Sequence, residues 1–168
     1  MGVVGLTHKY ILNKKAVISS TVSWSGTDVS HGNTEPIDSG LYSEANSFKK
    51  GYLRANVQLN QKFNARHFLS SGITASYLSY NFNSTYSIPE NGILNEFLDF
   101  ANDKGSSGSA QAFTSWKFRP NERLTLVNGV HILHFFLSQE TVVEPRSNIR
   151  WQFHPKTAVF AGFGLHSR

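Results

Sequence analysis

The sequence predicts an all-β chain of antiparallel strands, and three observations carry that prediction. Side chains sort apolar and polar at every second position, connections alternate between short and long, and helix-forming material is sparse. The sorting is strictest in "VEPRSNIRWQFHPKT", where Val143, Ile149, Trp151 and Phe153 share odd positions with Pro145 and Ser147. Glu144, Arg146, Asn148, Arg150 and Gln152 fill the even ones. A period of two means a β-strand with one wet and one dry face. Such a strand fits a soluble sheet laid on a core, and it also fits a barrel wall between lipid and a polar lumen.

Taken in order, the elements repeat this alternation. "VVGLTHKYIL" opens the chain, and "AVISSTVSW" sets Ala16, Ile18, Val22 and Trp24 against Val17, Ser19, Thr21 and Ser23. "YLRANVQLNQKF" alternates Leu53, Ala55, Val57 and Leu59 with Arg54, Asn56, Gln58 and Asn60. "FLSSGITASY" sets Leu69, Ile73, Ala75 and Tyr77 against Ser70, Gly72, Thr74 and Ser76. "QAFTSWKF" and "LTLVNGVHILHFF" follow more loosely. After the strand at residues 143–153, "AVFAGFGLHS" places Val159, Ala161, Phe163 and Leu165 on one face. The result is about eight strands, arranged as four hairpins.

Tight polar turns are predicted at residues 13–15, 64–67, 119–123 and 154–157. Long connections are predicted at 26–46 and 83–109, with a shorter one near 138–141. Short turns on one edge and long loops on the other are the pattern of an outer-membrane barrel. In "ILNEFLDFAN", Ile93, Leu94, Phe97, Leu98 and Ala101 recur at helical spacing, which predicts a short helix inside the second long loop.

Composition bounds the function. The 168 residues suffice for a single domain. Cysteine is absent, so no disulfide framework or thiolate metal site exists. The net charge of +5 is scattered without a basic run, which is better explained by solvated turns and a lumen than by nucleic acid. No apolar stretch approaches the roughly 18 residues of a membrane helix, whereas a spanning β-strand needs only about 9–11. "MGVVGLTHKY" lacks the pattern of a signal peptide.

Catalytic chemistry finds no foothold. His131 and His134 are three apart, which on a strand sends them to opposite faces, so a shared metal is not expected. Glu140 and Glu144 fall on one face, where a loop salt bridge is favoured over acid–base work. No nucleophile elbow, zinc-protease motif or phosphate loop is present. No catalytic, cofactor-binding or metal-ligating residue is therefore assigned, and no enzyme is expected. Arg54, Arg146 and Arg150 form the most site-like set, and a charge ladder through Glu144 is favoured over direct ligand contact.

The stretch "NDKGSSGSAQAFTSWKFRPNERLTLVNGVHILHFF" followed by "VEPRSNIRWQFHPKTAVFAGFGLHSR" resembles the barrel of TonB-dependent outer-membrane receptors of the kind common in Bacteroidetes. The shared features are the Lys-Gly segment before "QAF.SWKF", the Asn-Glu turn before "LTL.NGVH", the Glu-Pro-Arg strand opening and the "G.GLHS" ending. The match covers residues 102–168 well and the earlier hairpins by pattern. Such receptors carry a plug domain ahead of a barrel of about 22 strands. This chain shows neither plug nor energy-coupling box, so residues 1–168 are expected to be one internal barrel segment.

The resemblance implies import of a nutrient of siderophore, glycan, peptide or cofactor class across the outer membrane. Its implied partners are outer-membrane lipid, the plug and remaining barrel of a parent protein, and an energy-coupling inner-membrane complex. If the strands form such a wall, Arg54, Asn56, Gln58, Glu144, Arg146, Asn148, Arg150 and Gln152 face the lumen. Val57, Leu59, Ile149, Trp151, Phe153 and Phe163 then face lipid, and specificity sits in the long loops. A complete small eight-stranded membrane barrel with a structural or adhesive role, and a soluble β-sandwich or ligand-binding barrel, remain as alternatives.

Overall fold

The computed structural model describes residues 1–37, 40–87 and 98–166, with the side chains of 37, 40 and 41 excepted. Eight strands follow one another: β1 (Gly2–Asn13), β2 (Ala16–Ile37), β3 (Gly40–Lys62), β4 (His67–Ser87), β5 (Leu98–Phe118), β6 (Leu124–Phe135), β7 (Glu140–His154) and β8 (Thr157–Gly164). They form one sheet in sequence order, each bonded to its chain neighbours, which is the antiparallel meander that short hairpins dictate. No helix occurs among the described residues.

The four short turns share one device. Asn13 Oδ1 accepts the Lys15 amide at 2.8 Å, and Asn64 Oδ1 accepts those of Arg66 and His67 at 2.8 and 2.9 Å. Asn121 Oδ1 takes the Arg123 and Leu124 amides at 3.0 and 2.9 Å, while His154 Nδ1 stands in for the amide oxygen at Lys156, 3.4 Å away. An Asn that bonds its own backbone two or three residues on imitates a turn and fixes it. Three of the turns are then tied to the next hairpin through Lys62 N to Lys15 O, Arg119 N to Arg66 O and Gln152 N to Arg123 O, at 2.7 to 2.8 Å. The connection at residues 136–139 is also a turn, in which Gln139 takes a left-handed φ of 57° and donates from its side chain to the Phe136 carbonyl at 2.6 Å.

Two expectations are corrected here. The long loops at 26–46 and 83–109 are largely strand: β2 runs to Ile37, β3 starts at Gly40, β4 runs to Ser87 and β5 starts at Leu98. These strands have 21 to 23 residues, about twice what a bilayer requires. The helix expected over 93–101 lies outside the described residues for 93–97, and the remainder, 98–101, is the start of β5. Phe100 there packs edge-on against Tyr86 with ring centroids 6.0 Å apart, a cross-strand contact that a helix would not make.

The chain divides into two compact parts. The first comprises Met1–Val4, Trp24–Leu53 and Tyr77–Ser107; the second comprises Gly5–Ser23, Arg54–Ser76 and Gly108–Arg168. In the second part, register fixes the faces. Leu126↔Ile149, Leu124↔Trp151, Ile132↔Val143 and Val130↔Pro145 pair across β6 and β7, and Ile149↔Ala161 and Trp151↔Val159 pair across β7 and β8. Directly paired residues share a face, so these apolar side chains form one continuous surface. Almost nothing covers it: Val57 is 51% exposed, Trp151 54% and Phe163 64%, and the single buried apolar residue among those described is Ala16.

The opposite face is closely fitted. Gly72 leaves room for the Phe113 ring, since a Cβ there would lie 2.6 Å from it, and Gly129 lets β6 approach β5, since a Cβ would lie 2.8 Å from the Thr114 carbonyl oxygen. A ring can swing away, but a paired backbone carbonyl cannot. Gly129→Ala should therefore cost about 1–3 kcal/mol, the usual range for overpacking. Gly164→Ala, with its nearest neighbour at an ordinary 3.5 Å, should stay within about 0.5 kcal/mol. Urea midpoints of the folded protein in detergent check both.

Candidate functional site

The polar face of the second part carries a bonded wall. Glu144, only 6% exposed, receives His131 Nδ1 at 3.2 Å and Arg146 at 2.7 Å, with His166 at 3.9 Å. His131 sits there because the register sets it directly opposite Glu144, and its other nitrogen lies 3.4 Å from Gln111 Oε1. A buried carboxylate is expensive unless paired and hydrogen-bonded, and this one is both. Farther along the same face, Arg150 bonds Gln152 Oε1 at 3.0 Å and lies 5.6 Å over the Phe160 ring. Asn56 donates to Thr74 Oγ1 at 2.8 Å, and Gln58 to Ser70 Oγ at 3.1 Å. Asn148 occupies the space that Gly162 leaves: a Cβ there would meet its Oδ1 at 2.5 Å.

The structure thus brings Glu144 and Arg146 together and adds His131 and Gln111, which sequence reading had not grouped with them. Arg150 belongs to a separate contact set, and Arg54 is an exposed residue of β3. His134, three residues from His131, points to the other face and bonds Thr141 Oγ1 at 2.8 Å. Glu140 is bonded by Ser138 at 3.3 Å and takes no part in the Glu144 cluster. Among the described residues, no group of His, Asp or Glu is placed to hold a metal.

The first part holds the chemistry that sequence reading missed. Tyr42, Glu44, Ser84, Tyr86 and Phe100 line a hollow of about 510 Å³. Glu44 is bonded by Asn46 at 2.5 Å, and Phe48 and Phe82 pack beside each other at 6.5 Å. A pocket with aromatic walls and one carboxylate suits a ligand with flat or cationic surfaces. Tyr80 donates to Asp103 at 2.9 Å, and that bond with the carboxylate's charge holds the phenol above its ordinary value. The contact is therefore present at neutral pH and is lost only as pH rises through the raised phenol value. These residues are far apart in sequence, on strands whose extended length no apolar alternation announced.

No protein family matches the sequence, and no curated protein does. Solved structures do match. The copper transporter OprC aligns with a TM-score of 0.78 at 14% identity, over 96% of this chain and 29% of its own. The ferric citrate transporter FecA in its unliganded form aligns at 0.65 and 8%, over 96% and 26%. FpvA of P. aeruginosa, bound to a pyoverdine–iron complex, aligns at 0.62 and 12%, over 95% and 26%. The fold is shared with part of each transporter. The chain spans less than a third of the length of any of the three.

The Glu144 cluster generates a prediction that needs no ligand. Glu144→Leu removes the shared acceptor of the His131 and Arg146 hydrogen bonds and, with Arg146 nearly half exposed, should cost about 1–3 kcal/mol. Arg150→Leu removes a partly exposed charge whose partners are neutral, and should cost no more than about 1 kcal/mol. Denaturant titration of both variants in one detergent gives the comparison.

Proposed function

We propose that this chain is part of the wall of a TonB-dependent outer-membrane receptor of the Bacteroidetes type, which imports a nutrient and performs no catalysis. The observation that carries this reading is the uncovered apolar face, backed by a bonded polar face on eight up-and-down strands. Water cannot be the solvent for that apolar face: burying each large apolar side chain is worth about 1.5–3 kcal/mol, and Val57, Ile73, Ile149, Trp151, Val159 and Phe163 all remain outside. Lipid satisfies it, and the polar parity then lines a lumen where Glu144, Arg146, Asn148, Arg150, Gln152, Arg54, Asn56 and Gln58 meet water and one another. Val57, Leu59, Ile149, Trp151, Phe153 and Phe163 face lipid in the same reading.

Dimensions support this. On the apolar face, His67 stacks on Phe118 at 4.6 Å and receives the Trp116 indole hydrogen bond at 3.2 Å, forming an aromatic group at the turn end. Ten residues later in β4 comes Tyr77. Ten residues extend about 33 Å, or about 25 Å of height at a 40° tilt, which is the apolar band of such barrels. The short turns lie just beyond the His67 and Phe118 group. In this reading a plug and further strands of a parent protein complete the barrel, an inner-membrane complex supplies the energy, and the hairpin extensions contact the nutrient. The class of that nutrient follows from the pocket no further than a ligand with flat or cationic surfaces.

The experiment is a pair of adjacent substitutions in the full protein. Val57→Arg places a charge in hydrocarbon and should cost about 2–4 kcal/mol, with loss of the heat-modifiable folded band. Gln58→Arg, one residue on and on the other face, should leave the band intact. Equal loss in both, or in neither, contradicts the reading.

A further inference from the structure

A second hollow in the first part, about 670 Å³, opens on the opposite face from the Tyr42 pocket, and its lining includes Trp24, Lys49, Gly51, Ser79, Asn81 and Lys104. Contacts fix the face. Lys49 pairs with Asp28 at 3.7 Å, and a Cβ on Gly51 would lie 3.0 Å from Ser79 Oγ and 3.8 Å from Trp24 Nε1. Strand alternation adds Asn81, two residues after Ser79. Tyr80 and Asp103 bond each other on the other face, which leaves Lys104 on this one. Followed back along β2 and β4, the same alternation carries Val22, Ile73 and Tyr77, all at least half exposed. The hollow therefore lies on the lipid-side parity, just past Trp24 and Tyr77.

Its floor is made by absent side chains. Trp24 lies flat along β2, so that a Cβ on Gly26 would touch its ring at 2.5 Å, and Gly51 is bare beside it. Above this floor stand an indole, two ammonium groups, an amide and a hydroxyl. The one acid, Asp28, holds Lys49 through an exposed and easily exchanged pair. Among the described residues, Lys104 has no carboxylate within ion-pair distance. Donors and positive charge gathered at the edge of an apolar, aromatic-bordered face complement an anion that is itself attached to hydrocarbon.

We propose that this hollow seats the phosphate-bearing headgroup of a membrane lipid, with Lys49 and Lys104 pairing the phosphate and Trp24 covering the start of the acyl region. The proposal rests on the barrel-wall reading. Its test is native mass spectrometry of the full protein released from neutral detergent micelles, with phosphatidic acid, diacylglycerol or inorganic phosphate added. Phosphatidic acid should remain bound and diacylglycerol should not. Lys49→Gln and Lys104→Gln should each weaken retention roughly fivefold, while Lys49→Arg with Lys104→Arg should preserve it. Equal retention of both lipids, or full retention in the Gln double variant, overturns the proposal. Inorganic phosphate bound as tightly as phosphatidic acid makes this a free-anion site and overturns the lipid source. A protein that inserts into bilayers normally yet shows no phosphate-dependent retention defeats this inference alone, whereas one that fails to insert defeats the barrel reading with it.

Discussion

Everything in this structure depends on an apolar sheet face that no other element of the described chain covers. In a soluble β-protein that face packs on a second layer about 10 Å away and becomes the core. Here Ala16 is the only buried apolar residue among those described, while Ile149, Trp151 and Val159 stand open along paired strands. Cross-strand hydrogen bonds and side-chain pairs hold the ladder together, but they cannot remove the cost of leaving such a surface in water. The sheet therefore presupposes an apolar environment on one side, and the copper, ferric citrate and pyoverdine-bound neighbours share this fold at 8–14% identity.

The polar face answers the opposite demand. Its charges are held by neighbours: Glu144 by His131 and Arg146, and Arg150 by Gln152 and the Phe160 ring. Glycines at 72, 129 and 162 set how closely strands and side chains approach on that side. On such a face the polar groups satisfy one another. The aromatic and acidic hollow around Tyr42 and Tyr86 belongs to the first part of the chain and is lined from β3, β4 and β5.

How much of this was legible in the sequence follows from where lipid-type alternation is required. From residue 143 to 153, apolar and polar positions alternate because the two faces meet different surroundings, and the strand was plain from residues alone. From 26 to 37 and from 40 to 46 they do not alternate: polar residues occur at both parities, Asp28 and Ser30 against Asn33 and Glu35 in β2 and Ser43 against Glu44 and Asn46 in β3, and the stretch reads as loop although it is strand. Where both faces meet water, nothing forces the alternation. At residues 98–101 the helical spacing misled for a related reason, since Leu98 and Phe100 also satisfy a period of two. The pairing of His131 with Glu144 was within reach, because a four-residue turn at 136–139 fixes the β6–β7 register. Compared with His134 on its own strand, Glu144 across the turn was the informative neighbour.

The central claim, that one parity of these strands meets hydrocarbon and the other water, is tested most directly by spin-label accessibility in the full protein reconstituted into bilayers. Labels at residues 57, 73, 149 and 163 should collide readily with molecular oxygen and poorly with a water-soluble nickel chelate. Labels at 56, 58, 148 and 152 should show the reverse. A two-residue period in the oxygen-to-nickel ratio along β3 and β7 is the predicted result. Uniform exposure to the nickel chelate at both parities would contradict the account.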